Sequence, residues 1–132
     1  MRRVSSLLFL LALAVVSAAA QQPPQQGTDP SWTAPEKDAA RKNPLAAKPE
    51  LAAGGQRVFS RSCASCHGDA EHRATSKAPD LGGEAVQAQS DGAIFWKITN
   101  GNTKKAMPSW GSIPEPQRWQ LVLYVRSLRD KK

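Results

Sequence analysis

The sequence has 132 residues, a formal net charge of +7, two cysteines and two histidines. The positive charge is not concentrated in a dense run of Lys and Arg, which argues against nucleic acid as a partner. No stretch alternates apolar and polar residues for long enough to predict a sheet, and no internal repeat is visible. The sequence therefore predicts an all-α protein.

The first 20 residues predict a secretory signal peptide. Arg2 and Arg3 form a positive start, residues 7–16 are apolar, and Ala18-Ala19-Ala20 supplies the small residues of a cleavage site. The apolar stretch is short for a membrane span, which needs about 20 apolar residues. We expect export to a bacterial periplasm; an uncleaved anchor, and with it a membrane location, stays open because residues 4–20 carry no charge.

Residues 21–50 form a leader rich in Pro and Gln, which holds six of the ten prolines and few large apolar side chains. This composition predicts a largely extended, solvated tether. In the alternative, Trp32 and a short helix between Pro35 and Asn43 pack onto the rest of the chain or onto a partner. We assign the folded domain to residues 51–132.

Three longer helices follow in that domain. Residues 51–62 place apolar or small side chains on one face at helical spacing. Residues 90–101 begin with Ser90 as a candidate N-cap and stop at Asn100-Gly101. A last helix covers about residues 115–129, with its prolines confined to the first turn, where proline is tolerated.

The motif Cys63-Ala64-Ser65-Cys66-His67 lies directly after the first of these helices. Cys-x-x-Cys-His is the attachment site of a c-type haem, in which both thiols bind the porphyrin edge and the imidazole binds iron. The alternatives are a zinc half-site, a dithiol redox pair and a disulfide. A zinc site needs four Cys or His ligands, and beyond the motif the sequence offers only His72. A dithiol redox pair would be expected beside a parallel sheet, and no such pattern flanks the motif. A disulfide between Cys63 and Cys66 would close too small a loop to stabilise a fold much.

A domain of about 80 residues has a marginal core and needs an additional staple, which one covalently bound haem c would supply. The apoprotein is therefore expected to be poorly folded.

Met107, in Ala106-Met107-Pro108, is the only methionine left once the signal peptide is removed. We predict that Met107 is the second axial ligand opposite His67; the alternative is a gap-filling side chain. His72 is the rival ligand, and Lys104 or Lys105 would replace Met107 at high pH.

These motifs resemble the class I monohaem cytochromes c over about residues 51–128. Gly55 and Phe59 match the family's first helix, and the resemblance implies that they cross the last helix at Leu121 and Tyr124. Residues 78–81, Ala-Pro-Asp-Leu, resemble the family segment Gly-Pro-x-Leu. The resemblance implies a small all-α cytochrome c fold of three or more helices around one haem, with the Pro79 carbonyl accepting the His67 ring N–H.

Three tryptophans of the domain are expected in the core or haem pocket: Trp96, Trp110 and Trp119. Trp110 follows the Met107 loop and is the preferred donor to a haem propionate. The leader's charges cancel, so the positive excess of the mature chain belongs to the haem domain. Loop lysines are expected to border the haem edge and to steer redox partners with an acidic docking face: Lys77, Lys104 and Lys105.

With both axial positions filled by side chains, the sequence favours an exported one-electron carrier in a respiratory or dehydrogenase-linked chain, and not an enzyme. One alternative is a dedicated cytochrome subunit of a larger oxidoreductase, with the leader as a docking arm. A second is a haem enzyme or gas sensor in which Met107 is labile.

Overall fold

The computed structural model describes residues 31–69 and 78–129 of the chain. The predicted signal peptide, the first part of the leader, His72 and Lys77 lie outside these residues. Within them the chain forms the following helices in order: α1 Glu36–Ala39, α2 Ala52–Ser62, α3 Ala64–His67, α4 Glu84–Gln87, α5 Asp91–Asn100 and α6 Glu115–Ser127. Short 3-10 turns cover Pro49–Leu51 and Thr103–Lys105. No strand occurs in this part of the chain, so the predicted all-α class is confirmed.

The three longer helices lie where the sequence predicts them. The Ser90 side chain accepts the Ala93 N–H at 3.2 Å and so caps the start of α5. Gly101 ends α5 with φ of 65°, a conformation that favours glycine. Helix α6 begins directly after Pro114. Helix α4 was not predicted, because four residues are too few to show a helical period.

Helices α2 and α6 cross at close range. A Cβ atom on Gly55 would collide with the backbone carbonyl of Gln120, so only glycine lets the two backbones approach this closely. One turn further along, the rings of Phe59 and Tyr124 pack 5.0 Å apart between centroids. Leu121 is buried in the same cluster. The predicted crossing is therefore confirmed.

A second cluster joins α5 to α6. The rings of Phe95 and Trp119 stack with 3.9 Å between centroids, and Val122 is fully buried beside them. Leu81 and Ile98 pack against both this cluster and the α2–α6 cluster, so the two form one continuous apolar interior. None of the helices within residues 31–69 and 78–129 has the length and apolar character to cross a membrane.

Residues 31–50 pack onto the domain, which corrects the expectation of a solvated tether for this part of the leader. Ala34 and Asn43 are buried, and the Asn43 side-chain amide donates to the Trp119 carbonyl at 3.2 Å. Helix α1 lies against α5, where the Ser90 hydroxyl donates to the Ala39 carbonyl at 2.6 Å. Individual hydrogen bonds hold this segment on the domain, and its amino-acid composition could not predict them.

Candidate functional site

The Cys-x-x-Cys-His motif forms one tight turn after α2. The Cys63 carbonyl accepts the backbone N–H groups of Cys66 and His67 at 3.1 and 3.0 Å. This geometry places Cys66 and His67 on the short helix α3 and Cys63 at the cap position directly before it. Gly68 ends the helix with φ of 72°, a left-handed conformation in which other residues are strained. The chain therefore turns away immediately after the imidazole.

The two cysteines of the motif are not joined in a disulfide. Cys63 is half-buried against the α2–α6 cluster, whereas Cys66 is exposed. Burial, with a smaller contribution from the negative charge of a Cys66 thiolate, raises the pKa of the Cys63 thiol to about 11. Disulfide exchange needs a thiolate at physiological pH, so this environment disfavours a dithiol redox pair.

His67 is oriented by a backbone carbonyl. Its Nδ1 lies 3.3 Å from the Pro79 oxygen, and in the Nδ1–H tautomer His67 donates to that carbonyl. The other ring nitrogen, Nε2, is then the one that can bind a metal. Burial lowers the pKa of His67, partly opposed by the bond to Pro79, which favours the neutral imidazole that metals require.

Met107 lies in a small closed loop that follows α5. Asn102 and Met107 exchange two backbone hydrogen bonds, at 2.8 and 2.9 Å, in an isolated antiparallel bridge. Ala106 closes the loop with φ of 59°, which is unusual for a residue other than glycine. Lys104 and Lys105 are exposed at the tip, and Met107 is half-buried at the base. The loop therefore fixes the backbone at Met107 from both sides.

Ile98 connects this loop to the motif. Its side chain packs against the same α2–α6 cluster as Cys63, and its carbonyl accepts the Trp110 backbone N–H at 3.1 Å. Trp110 is half-buried in the same stretch of chain as Met107. The structure thus brings His67 to Pro79 directly, and it joins Met107 and Trp110 to the Cys63 side through α5.

The side chains around the motif fit a covalently attached haem. Half-buried apolar residues surround the α2–α6 cluster next to Cys63: Ala64, Leu81, Ile98, Ile113 and Leu128. The side-chain nitrogen of Asn102 is buried and has no hydrogen-bond partner among the described atoms, so a bound group with an acceptor would satisfy it. Two thiols, one imidazole and one thioether are the donors that a c-type haem uses.

No group of three or more His, Cys, Asp and Glu side chains within residues 31–69 and 78–129 is arranged to hold a metal ion. A haem iron needs only two protein ligands because the porphyrin supplies the other four. The donor set of the motif and the Met107 loop is therefore sufficient for haem iron.

Two features of the site were not predicted from the sequence. Nothing in an Ala-Met-Pro sequence indicates that Ala106 adopts a left-handed conformation. The Trp32 indole N–H donates to the Gly101 carbonyl at 2.7 Å, next to the Met107 loop. The only signal for this contact is that Trp32 is an isolated aromatic residue in a polar leader.

One comparison with known proteins identifies a family for this chain. A family model described as "Cytochrome C oxidase, cbb3-type, subunit III" matches residues 50–125, which is more than half of the chain. The matched range contains the Cys-x-x-Cys-His motif, Pro79, Met107 and Trp110. No curated protein and no solved structure matched the chain.

Proposed function

Because this chain belongs to the family described as cytochrome C oxidase, cbb3-type, subunit III, we propose that it is an exported monohaem cytochrome that carries one electron at a time. The family assignment makes residues 50–125 a c-type cytochrome domain, whose role is electron transfer. A single Cys-x-x-Cys-His motif supports one haem per chain.

Each residue of the site has a role in this proposal. Cys63 and Cys66 hold the haem c through thioether bonds, and His67 and Met107 bind its iron. The haem supplies an iron that cycles between the ferrous and ferric states. With His67 and Met107 both bound to the iron, no position would be left for a substrate, so the site would act as a relay and not as a catalyst.

The observation that carries the proposal is the 3.3 Å contact between His67 Nδ1 and the Pro79 carbonyl. A histidine that binds metal through one ring nitrogen characteristically donates the other ring N–H to a carbonyl or carboxylate. The contact fixes the ring orientation and, with the lowered pKa, keeps the imidazole neutral. Trp110 and the buried Asn102 amide are candidate donors to the haem propionates.

The proposal is tested with the holoprotein purified from an exporting host. We expect one covalently bound haem per chain and, in the ferric state, a weak absorbance band at the red end of the spectrum that reports the Met–iron bond. Met107→Ala should abolish this band, lower the reduction potential and allow fast carbon monoxide binding to the ferrous form. Thr103→Ala, an exposed change in the same loop, is the control. A wild-type protein that lacks the band, or keeps it after Met107→Ala, would refute ligation by Met107.

The export part of the proposal is tested by the mass and location of the mature chain. We expect a mature chain that begins at Gln21 and is released with the periplasmic fraction. An intact residue 1–20 segment, with the protein in the membrane fraction, would instead support the anchored alternative.

A second candidate function is a dedicated subunit of a larger oxidoreductase, which the description of the matching family favours. In either case the partners are redox proteins, and the exposed Lys104 and Lys105 favour an acidic docking face. Isolation at native expression levels distinguishes the two functions. Co-elution with a large catalytic partner supports the subunit, whereas a free monomer that exchanges electrons with several acceptors supports the carrier.

A further inference from the structure

Trp32, in the leader, contacts the base of the Met107 loop, which lies far from it in the sequence. Its indole N–H donates to the Gly101 carbonyl at 2.7 Å, which joins residues 69 positions apart. The Lys97 ammonium lies 4.7 Å from the centre of the same ring, in cation–π geometry. Trp32 is half-buried, so this contact is partly shielded from water.

Gly101 is the residue at which α5 ends and the Met107 loop begins. A Cβ atom on Gly101 would lie only 2.5 Å from the carbonyl carbon and oxygen of Pro108, so the two backbones touch. The next residue, Asn102, makes both backbone bonds to Met107. A hydrogen bond to the Gly101 carbonyl therefore acts at the place where the backbone before the loop touches the backbone after it.

The segment that carries Trp32 is itself anchored at its other end. We call residues 31–43 the N-terminal strap. Arg41 pairs with Glu115 at 2.6 Å, and the Asn43 amide donates to the Trp119 carbonyl. Because both of these contacts reach α6, Trp32 is tied to the body of the domain. It is not the loose end of a tether.

We propose that Trp32 is a positioning residue: through Gly101 it holds the Asn102–Met107 loop in the conformation from which Met107 binds the haem iron. The inference rests on the proposed function, in which Met107 is an axial ligand. A loop that swings away from the iron moves the Gly101 carbonyl and loses the bond to Trp32. The bond therefore favours the closed loop and reduces the fraction of molecules in which Met107 is detached.

The test compares Trp32→Phe with Arg41→Gln in the holoprotein. Trp32→Phe keeps an aromatic ring under Lys97 but removes the N–H donor and part of the ring area, whereas Arg41→Gln loosens the far end of the strap. We expect Trp32→Phe to speed carbon monoxide binding to the ferrous form about two- to tenfold, as the loss of one hydrogen bond predicts. The red band of the ferric form should weaken, and amide hydrogen exchange at Asn102 and Met107 should speed up by a similar factor. Arg41→Gln should leave all three measurements near those of the wild type.

A second variant, Lys97→Gln, removes the cation from the ring face and keeps the indole N–H. We expect a smaller change in the same direction, and this variant replaces Trp32→Phe if the latter does not load haem. Unchanged exchange at Asn102 and Met107 in these variants would overturn the inference. Equal effects from Arg41→Gln would also overturn it, because they would show general loosening of the strap.

The failure of the proposed function gives a different result. A wild-type protein without the red band would refute Met107 as the ligand, and amide exchange would then decide the role of Trp32 in the loop by itself. A wild-type band that Trp32→Phe leaves unchanged, together with unchanged exchange, would refute only the role of Trp32.

Discussion

Two helix–backbone contacts in this protein use a glycine in the same way but differ in how visible they are in the sequence. At the α2–α6 crossing, Gly55 lies against the backbone of Gln120. In the second contact, Gly92 of α5 lies against the carbonyls of Asp38 and Ala39 in the N-terminal strap. The first contact joins two long helices with apolar faces, and the second joins a helix to a polar segment.

The difference shows what kind of packing a sequence pattern can report. Helix α2 buries Gly55, Val58 and Phe59, which lie at i, i+3 and i+4, so its contact face follows the helical period. The strap buries Ala34 and Asn43 and otherwise holds on by isolated hydrogen bonds. Contacts of that kind have no period, and the high proline content of the whole leader, residues 21–50, predicts a tether even though the strap within it is docked.

The largest expected effect is on the α2–α6 crossing. Gly55→Ala places a methyl group on the Gln120 carbonyl, and a backbone atom cannot rotate away, so the helices must separate. We expect a loss of about 3 kcal/mol of unfolding free energy, at the upper end for an overpacked core. Denaturant unfolding of the holoprotein measures this loss.

Gly54→Ala is the matched control for that variant. Its new methyl group would meet only the side chain of Gln120, which can move. A gain in helix propensity of up to about 1 kcal/mol offsets the small clash. Equal losses in the two variants would show that the close approach at Gly55 does not determine the crossing.

The strap contact should be weaker. Gly92→Ala puts a methyl group against the Asp38 and Ala39 carbonyls, but the strap can shift as a unit where α6 cannot. We expect a loss of about 1–2 kcal/mol in the same unfolding measurement, reduced by the better helix propensity of alanine. Adding Asn43→Ala, which releases the strap from Trp119, should cost less than the sum of the two single changes.

Gly111→Ala is the control for Gly92→Ala, because its methyl group would make only an ordinary contact with the Thr99 carbonyl, at 3.4 Å. A strap that is free in solution would make Gly92→Ala neutral or stabilising. That result would contradict the docked strap and restore the tether.

The smallest effect is the pH dependence of the strap's ion pair. A hydrogen bond from the Trp119 indole and the bond to Arg41 hold the pKa of Glu115 below its ordinary value. A carboxyl with a depressed pKa stabilises the fold above its unfolded pKa and loses that contribution as pH falls through the folded pKa. The difference in melting temperature between wild type and Glu115→Gln should therefore be present at pH 7 and shrink below about pH 4.

Because Glu115 is exposed, this difference should be small and should decrease in high salt. Arg41→Gln removes one of the two hydrogen-bonding partners and should remove part of the pH dependence. A difference that grows as pH falls would have the wrong sign and would contradict the role of the carboxylate.

Some features of the site could be predicted from the sequence and others could not. The resemblance to cytochromes c implied the contact between His67 and Pro79, and the structure has a distance of 3.3 Å there. The axial role of Met107 stays a prediction, supported by the closed loop that holds its backbone. The left-handed Ala106 could not be predicted, because a local conformation that alanine disfavours is imposed by the bridge between Asn102 and Met107.

Local spacing and residue chemistry specified the three longer helices and the attachment motif, because each depends on residues a few positions apart or on repeated apolar side chains. The crossing at Gly55 was implied by the resemblance to class I cytochromes c. Only the tertiary structure revealed that residues 31–50 are docked and that Trp32 reaches Gly101. The physical reason is that such contacts are single hydrogen bonds between distant residues. Their geometry exists only once α5 and α6 have packed to form the surface that receives them.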